Sequence, residues 1–178
     1  MNQMTDHLAA GTDGETRAQR ALRILRRRPP VGASALLGLD PIDVDPDRGW
    51  ARIGYTAKPE FCNPLGVVQG GILTAMVDEA MAIACVAQMD FGIFIPTLEL
   101  KVSFLNPSYP GALIAEGQVV KAGKSVAFLE GKLFDPDGKL LITATATGRI
   151  TRREKVEAER ARRGQESGEL YGTKKKVD

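Results

Sequence analysis

The sequence predicts an α+β domain in which one long helix packs against an antiparallel β-sheet. Two observations lead to this prediction. An apolar run over 70–88 carries no charge except Asp78 and Glu79, and a helix that is apolar on all sides is normally buried. The segments that follow this run alternate apolar and polar residues, which is typical of strands with one buried face.

The order of the predicted elements is two strands, the long helix and four strands that we expect to form a meander. Turn-forming residues at 45–49, 106–111 and 135–138 separate neighbouring strands. The predicted strands cover about 34–44, 49–56, 97–104, 112–121, 125–134 and 140–150.

Charged segments flank this domain, and we place the domain itself at 31–151. Residues 1–30 form a leader with a short basic helix at 17–28, which Pro29 and Pro30 end. We expect this helix to pack one side on the domain; a membrane-surface or nucleic-acid role is the less favoured alternative. Residues 152–178 form a charged tail, in which 152–163 has helical composition but no apolar stripe, and Lys174–Lys176 is expected to be solvated.

Composition excludes several classes of function. The chain has 178 residues, 43% of them hydrophobic and 26% charged, and its net charge of +2 is too small by itself to suggest nucleic-acid binding. Its only histidine, His7, lies in the leader, which argues against histidine acid–base chemistry and histidine metal sites in the core. Cys62 and Cys85 have neither the number nor the spacing of a disulfide framework or a zinc site. We expect a cytoplasmic protein without metal or cofactor.

The pair Asp78–Glu79 is the most unusual feature of the long helix. A carboxylate in a protein core is costly unless it is paired, hydrogen-bonded or protonated, so at least one of the two acids is expected to have a function. One sheet cannot cover a helix that is apolar on nearly every side, which predicts that a second copy of the chain covers the remainder. The minimum assembly is then a homodimer.

Three segments resemble one known family. The motif N-P-L-G-V-V-Q-G-G at 63–71, followed by Asp78, is similar to the active-site segment of hotdog-fold acyl-CoA thioesterases of the PaaI type, the phenylacetic-acid-degradation group. Segments 97–107 and 123–128 resemble the same family. The resemblance implies a hotdog fold, in which the sheet wraps around the central helix, and hydrolysis of the thioester between an acyl or aryl group and coenzyme A. It also implies dimers or tetramers with active sites between subunits.

The resemblance assigns roles to five residues. Asp78 matches the catalytic carboxylate, which acts as general base or as nucleophile. Gly70 matches the residue whose backbone N–H polarises the thioester carbonyl, and Asn63 matches the asparagine that positions the water or the acyl carbonyl. Thr97 matches a residue that holds the attacking water. Gln69 stands where many members have histidine, which limits that position to hydrogen bonding.

A further glycine turn matches the part of the family that lies near the coenzyme A arm. Gly123, Lys124 and Ser125 do not form a phosphate-binding loop of the Walker type, because Gln118 stands where that motif needs glycine and a strand follows instead of a helix. The segment predicts a hairpin turn. Lys124, Arg149 and Arg152 are candidate phosphate contacts, and solvated surface charge is an equal alternative for each of them.

Helix geometry links the predicted chemistry to the predicted dimer. The N-terminus of a helix has unpaired N–H groups and the positive end of the dipole, and Gly70 and Gly71 would let a ligand approach these groups closely. Asp78 is eight residues further along, which is about 12 Å at 1.5 Å per residue. A carbonyl bound at Gly70 is therefore too far from Asp78 of the same helix. The two groups can meet only if a second subunit supplies one of them from an antiparallel helix.

Other interpretations of these residues remain open. Asp78 could instead be a structural acid paired with Arg52 or Arg149, and we favour a structural or peripheral role for Glu79. At the level of function, a non-catalytic acyl-CoA-binding hotdog protein is the main alternative. A hydratase on the same fold is less favoured, because such sites resemble a histidine and acid pair and this core has no histidine.

Overall fold

The computed structural model describes residues 14–170, with the side chains of 14–159, 161 and 162. A six-stranded antiparallel sheet in the order β1-β2-β5-β6-β7-β4 packs against one long helix, α3, which confirms the predicted α+β arrangement. The strands are β1 (Asp40–Asp45), β2 (Trp50–Ala57), β3 (Ile93–Phe94), β4 (Thr97–Phe104), β5 (Gly111–Ala122), β6 (Val126–Phe134), β7 (Leu140–Arg149) and β8 (Thr151–Arg152). The helices are α1 (Arg17–Arg27), α2 (Ala33–Leu37), α3 (Gly70–Gln88) and α4 (Arg153–Leu170), and Pro59–Phe61 forms a single 3₁₀ turn.

The first part of the predicted strand at 34–44 is wrong. Residues 33–37 form the short helix α2, and β1 begins only at Asp40. Gly32 and Gly38 flank this helix with φ angles of +58° and +69°, a backbone region that glycine adopts without steric cost. The apolar residues of 34–39 are too few to distinguish one helical turn from a strand.

The predicted meander is correct only for β5, β6 and β7. β4 pairs with β7, from Thr97 opposite Gly148 to Phe104 opposite Ile142, and so lies at one edge of the sheet. Alternation along a strand shows which side chains face the core, but it does not show which strand is the neighbour. The two-residue strands β3 and β8, which pair only with each other, are too short to give any periodic signal.

Two glycines let α3 lie unusually close to the sheet. A Cβ atom on Gly117 of β5 would be 2.3 Å from the carbonyl oxygen of Ala80, and one on Gly131 of β6 would be 2.6 Å from Cγ2 of Val77. Only glycine allows a helix backbone and a strand backbone to approach to this distance. The contact fixes the position of the middle of α3, and therefore of Asp78.

The helix α3 is the centre of the core. Its length and composition alone, with a mean hydropathy of 1.6, would allow it to cross a membrane. In the folded domain, however, it packs on β5, β6 and β2, which bury eight of its 19 residues. Its buried residues are Leu73, Met76, Val77, Ala80, Met81, Ala84, Cys85 and Ala87.

The helix α1 packs on the domain with one face, as predicted for the basic helix. A capping box at Thr16 and Gln19 begins the helix, and Ala21 and Ile24 are its buried residues. Arg17 donates to the Gln88 carbonyl oxygen at the end of α3 (2.6 Å) and pairs with Asp47 and Asp90. The segment of the tail with helical composition, 152–163, lies in α4 from Arg153 onwards. His7 and Lys174–Lys176 lie outside the described residues.

Candidate active site

A loop before α3 shapes the first half of the candidate site. The side-chain oxygen Oδ1 of Asn63 accepts hydrogen bonds from the backbone N–H groups of Leu65 and Val67, at 2.9 and 3.3 Å. The backbone of Gln69 donates to the Phe61 carbonyl oxygen at 2.9 Å. Asn63 therefore holds the loop through its oxygen, while its amide nitrogen has no hydrogen bond to the described residues.

The N-terminus of α3 is not capped by any of the described side chains. Gln69 occupies the N-cap position with an extended backbone, yet its side chain makes no capping hydrogen bond. A Cβ on Gly71 would have no atom within 4 Å, whereas one on Gly70 would meet the Phe104 ring at 3.0 Å. The first N–H groups of the helix, with the positive end of its dipole, are thus open to a ligand. We call Asn63, Gln69, Gly70 and Gly71 the N-terminal cluster.

An open cavity of about 430 Å³ lies beside the N-terminal cluster. Phe61 and Ile72 give it apolar walls, and Asn63 and Gln69 place amide groups at its edge. Few amides among apolar walls are typical of a pocket that binds an apolar group and orients one polar atom. The complete lining is Glu60, Phe61, Cys62, Asn63, Pro64, Gln69 and Ile72.

Asp78 and Thr97 form the second half of the candidate site. Thr97 Oγ1 donates to Asp78 Oδ1 at 3.0 Å, and the Asp78 residue is half-buried. No cation among the described side chains forms an ion pair with Asp78; Arg52 instead faces Glu116 at 3.7 Å. The structure therefore does not contain the pairing with Arg52 or Arg149 that would make Asp78 a structural acid.

Glu79 lies in quite different surroundings from its neighbour. Ser34 of α2 donates a short hydrogen bond to Glu79 Oε1, while Glu79 Oε2 and the Tyr55 hydroxyl are buried without a hydrogen-bond partner among the described residues. Burial raises the pKa of Glu79, and the charge of Asp78 adds to this, although the hydrogen bond from Ser34 acts in the opposite direction. Burial and the negative charge of Glu79 raise the pKa of Tyr55 well above its usual range. Glu79 thus connects α3 with α2 through Ser34.

The hairpin between β5 and β6 lies near Thr97. Gly123, Lys124 and Ser125 are exposed at its tip, and the Ser125 carbonyl oxygen accepts from Ile150 N at 2.8 Å. Arg149, also exposed, is opposite Val126 and follows Gly148, the partner of Thr97 in the sheet. The exposed cations Lys124 and Arg149 are thus at the same end of the sheet as Asp78 and Thr97.

The two halves of the site are separate within one protomer. Gly70 and Asp78 are about 12 Å apart along the axis of α3. β4 runs beside this helix, with Thr97 at Asp78 and Phe104 at Gly70, and it is an edge strand. The surface that contains both halves therefore lies at an open edge of the sheet.

Comparison with known proteins shows the family to which the chain belongs. Residues 65–142, which contain the N-terminal cluster except Asn63, as well as Asp78 and Thr97, match the model of the thioesterase superfamily. A protein of Saccharolobus solfataricus that bears the name "putative esterase" is 34% identical over 114 residues, which are 64% of this chain and 81% of that protein. The chain belongs to the thioesterase superfamily, and it is a hydrolase of thioesters.

Solved structures define the type more closely. A phenylacetic acid degradation-related protein of Ralstonia eutropha JMP134 is 38% identical, with a TM-score of 0.67 over 73% of this chain and 98% of that chain. The E. coli PaaI protein, from the phenylacetic acid degradation operon, has the same fold at 23% identity (TM-score 0.65, 76% of this chain and 94% of that chain). A Streptococcus mutans protein bound to acetyl CoA also has this fold, at 17% identity (TM-score 0.57, 64% and 89%). The predicted PaaI-type hotdog thioesterase is confirmed.

Several residues around the site could not be selected from the sequence. Ser34 and Tyr55 are distant from Glu79 along the chain, and no motif links them to it. Phe104 follows the alternation of an ordinary strand, so its contact with Gly70 depends on where β4 lies in the sheet.

Proposed function

We propose that the protein hydrolyses acyl- or aryl-coenzyme A thioesters at a site that two protomers share. The observation that carries this proposal is a half-buried Asp78 that holds a hydrogen bond with Thr97 and has no cation partner among the described side chains. A carboxylate in this state can accept a proton from water. The open N–H groups at Gly70 supply the complementary donor for the thioester carbonyl.

The exposed edge of the sheet supports a homodimer. Leu98, Phe104 and Leu105 expose 59%, 54% and 51% of their surface on or next to β4, and an uncovered apolar edge strand normally pairs or aggregates. Two copies related by a two-fold axis would bury the same surface of each. With antiparallel α3 helices, Asp78 of one copy would lie near Gly70 of the other. A tetramer made of two such dimers would keep the same sites.

The proposed reaction needs only these groups. The Gly70 N–H of one copy binds the thioester oxygen and stabilises the negative charge that develops there. Asp78 of the other copy takes a proton from water held by Thr97, and the water oxygen bonds to the carbonyl carbon. The carbon–sulfur bond then breaks and coenzyme A leaves as a thiolate, a group with a pKa of about 8.5 in a cysteine side chain. A leaving group of this kind needs no general acid, which suits a site without histidine. Direct attack by Asp78 on the carbonyl carbon is the alternative first step.

The remaining site residues would orient the substrate. Gln69 and Asn63 can hydrogen-bond the acyl group beside the open cavity, and Gly71 leaves space for it. The exposed cations Lys124 and Arg149 near Asp78 are suited to the phosphates of coenzyme A. The Streptococcus mutans protein of the same fold, which is bound to acetyl CoA, supports this choice of substrate.

The first experiment measures thiol release from a panel of acyl- and aryl-CoA substrates. Asp78→Asn keeps the shape of the side chain and removes the base, so we expect activity to fall by about 10²–10⁴-fold. Asp137→Asn, at an exposed turn, is the matched control and should keep native activity. Unchanged turnover by Asp78→Asn would refute the catalytic role. Substrate binding without turnover by the native protein would favour the acyl-CoA-binding alternative.

A mixing experiment tests whether the site is shared. Gly70→Pro removes the N–H donor in a backbone that can accept proline, because proline is tolerated at the first helical position and Gln69 already has the extended backbone that precedes proline. Its Cβ would lie 3.0 Å from the Phe104 ring, so this exposed side chain must shift slightly. Each variant alone should be inactive. Random dimers of Asp78→Asn with Gly70→Pro contain intact sites in heterodimers and should regain about a quarter of native activity. A site within one protomer would regain none.

A further inference from the structure

A second cavity lies at the other end of α3 from the N-terminal cluster. It has a volume of about 240 Å³ and lies between α1, the turn after α3 and the start of α4. Asp78 is ten residues before the end of α3, about 15 Å along the axis, so this cavity is separate from the acid half of the candidate active site. Its lining residues are Arg17, Arg20, Ala21, Ile24, Arg28, Asp90, Phe91, Gly92, Arg153, Glu154 and Glu157.

The arginines that line this cavity do not all form ion pairs with carboxylates of the described side chains. Arg17 pairs with Asp47 and Asp90, and Arg153 pairs with Glu157. Arg28, in contrast, is half-buried and has no carboxylate partner among the described side chains.

Arg28 lies in an unfavourable environment for a charge. Its only described interaction partner of favourable sign is the Phe91 ring, 5.8 Å from the guanidinium to the ring centroid. Burial lowers the pKa of Arg28, and the like charge of Arg153 lowers it further. Arg20 also lines the cavity without an ion pair to the described side chains. An anion in the cavity would compensate both guanidinium groups.

The turn that carries Phe91 is strained. Asp90 and Phe91 are consecutive non-glycine residues with φ angles of +49° and +62°. Such angles are unfavourable for a bulky residue, and strained backbone of this kind is concentrated at functional sites. The strain places Phe91 beneath Arg28 and Asp90 on Arg17. The turn thus holds one arginine in an ion pair and leaves the other directed to the cavity.

We propose that this cavity binds a small oxyanion, a metabolite that carries a phosphate or a carboxylate group. Guanidinium groups bind both oxyanions with two parallel hydrogen bonds. The carboxylates of Glu154 and Glu157 are on exposed residues, so the half-buried part of the cavity, at Arg28, is the positive part. The volume exceeds that of a single water molecule many times, so the site can hold the body of a small metabolite as well as its anionic group.

The test is calorimetric titration of the full chain at constant ionic strength. Pyrophosphate and citrate are the probes, and they distinguish a phosphate from a carboxylate ligand. We expect saturable binding of at least one probe with one site per chain. Arg28→Gln should weaken it at least about tenfold, since it removes the charge that directs the hydrogen bonds. Arg27→Gln, an exposed neighbour that does not line the cavity, is the matched control and should bind like the native protein.

Three results would overturn the proposal: no saturable binding of either probe, equal binding by Arg28→Gln and the native protein, or displacement of the probe by coenzyme A with one shared stoichiometry. The last result would make the cavity part of the substrate site. Asp78→Asn should bind the probes like the native protein. Because this readout does not use thioester hydrolysis, a failure here is distinguishable from a failure of the proposed catalytic function.

Discussion

Gly117→Ala tests whether the close contact between α3 and β5 fixes the position of α3 on the sheet. The added Cβ would lie 2.3 Å from the Ala80 carbonyl oxygen, 2.5 Å from its carbonyl carbon and 2.6 Å from the Met81 Cα. All three atoms belong to the helix backbone, so no side-chain rotation can relieve the contact. Real Cβ atoms essentially never approach another atom more closely than 3.0 Å, and ordinary contacts begin at 3.4 Å. The helix α3 must therefore move away from the sheet by about 0.7–1.1 Å.

The size of the effect follows from this displacement. Overpacking of a core costs about 1–3 kcal/mol, occasionally more. For a chain of this length each kcal/mol lowers Tm by about 2–4 °C, so we expect a fall of about 2–12 °C. Asp78 is two residues from Ala80 on the same helix, so the 3.0 Å hydrogen bond from Thr97 should also be disturbed. Thioesterase activity measured at 25 °C, where the variant is still folded, should fall as well.

Thermal unfolding followed by circular dichroism measures the change, and Gly54→Ala is the control. A Cβ on Gly54 of β2 would have its nearest atoms at 3.4 Å, an ordinary contact. We expect this second variant to be neutral, or more stable by about 0.4–1 kcal/mol because alanine restricts the unfolded chain. If Gly117→Ala unfolds within about 1 °C of the native protein, well below the smallest expected fall of about 2 °C, then the helix is not held by this contact.

Three further predictions concern single side chains. The pKa of Glu79 is raised in the folded state above the ordinary value of 4.5, so protonated Glu79 contributes to the free energy of unfolding below about pH 4.5, and this contribution is lost as the pH rises through the folded-state pKa. In urea titrations, the free energy of unfolding of Glu79→Gln should lack this fall, and parallel pH profiles of the variant and the native protein would contradict the prediction. Thr97→Val keeps the shape of the side chain but removes the hydrogen bond to Asp78, and we expect kcat to fall about tenfold with KM nearly unchanged; an equal loss in Thr97→Ser, which keeps the hydroxyl, would speak against this reason. Burial raises the pKa of Cys85 to about 11, so at pH 8 only about one Cys85 thiol in a thousand is ionised. A disulfide reagent should therefore react with the half-buried Cys62 first and with Cys85 only after denaturation. Rapid reaction of two thiols in the folded protein would contradict the burial of Cys85.

Periodicity predicted the parts of the fold that depend on one segment at a time. The apolar run of α3 gives a helix from Gly70 to Gln88, and alternation gives β5, β6 and β7 with nearly their observed bounds. The place of β4 beside β7 depends on pairing between distant segments, which alternation does not encode. The helix α2 depends on glycines at 32 and 38 with positive φ angles, a feature that the apolar residues between them conceal.

The candidate site was predictable to a different degree in each half. The family resemblance selects Asp78 and the 63–71 motif, and helix geometry shows that they cannot meet in one protomer. The hydrogen bond of Thr97 to Asp78 requires the end of β4 to reach the middle of α3, which only the three-dimensional arrangement reveals. The roles of Glu79 and Arg28 depend on burial among residues far away in sequence, so no local pattern could identify them.

The attachment of α1 has a practical consequence for work on shortened chains. Arg17 links the last turn of the core helix to the β1–β2 turn, because it donates a hydrogen bond to the Gln88 carbonyl oxygen and forms an ion pair with Asp47. The match to the superfamily model begins only at residue 65, so a chain shortened to the matched region would lose this link together with β1 and β2. A shortened chain should therefore keep the segment from residue 14 onwards, since its loss would loosen the far end of the central helix even where the segment from Gly70 to Thr97 is retained.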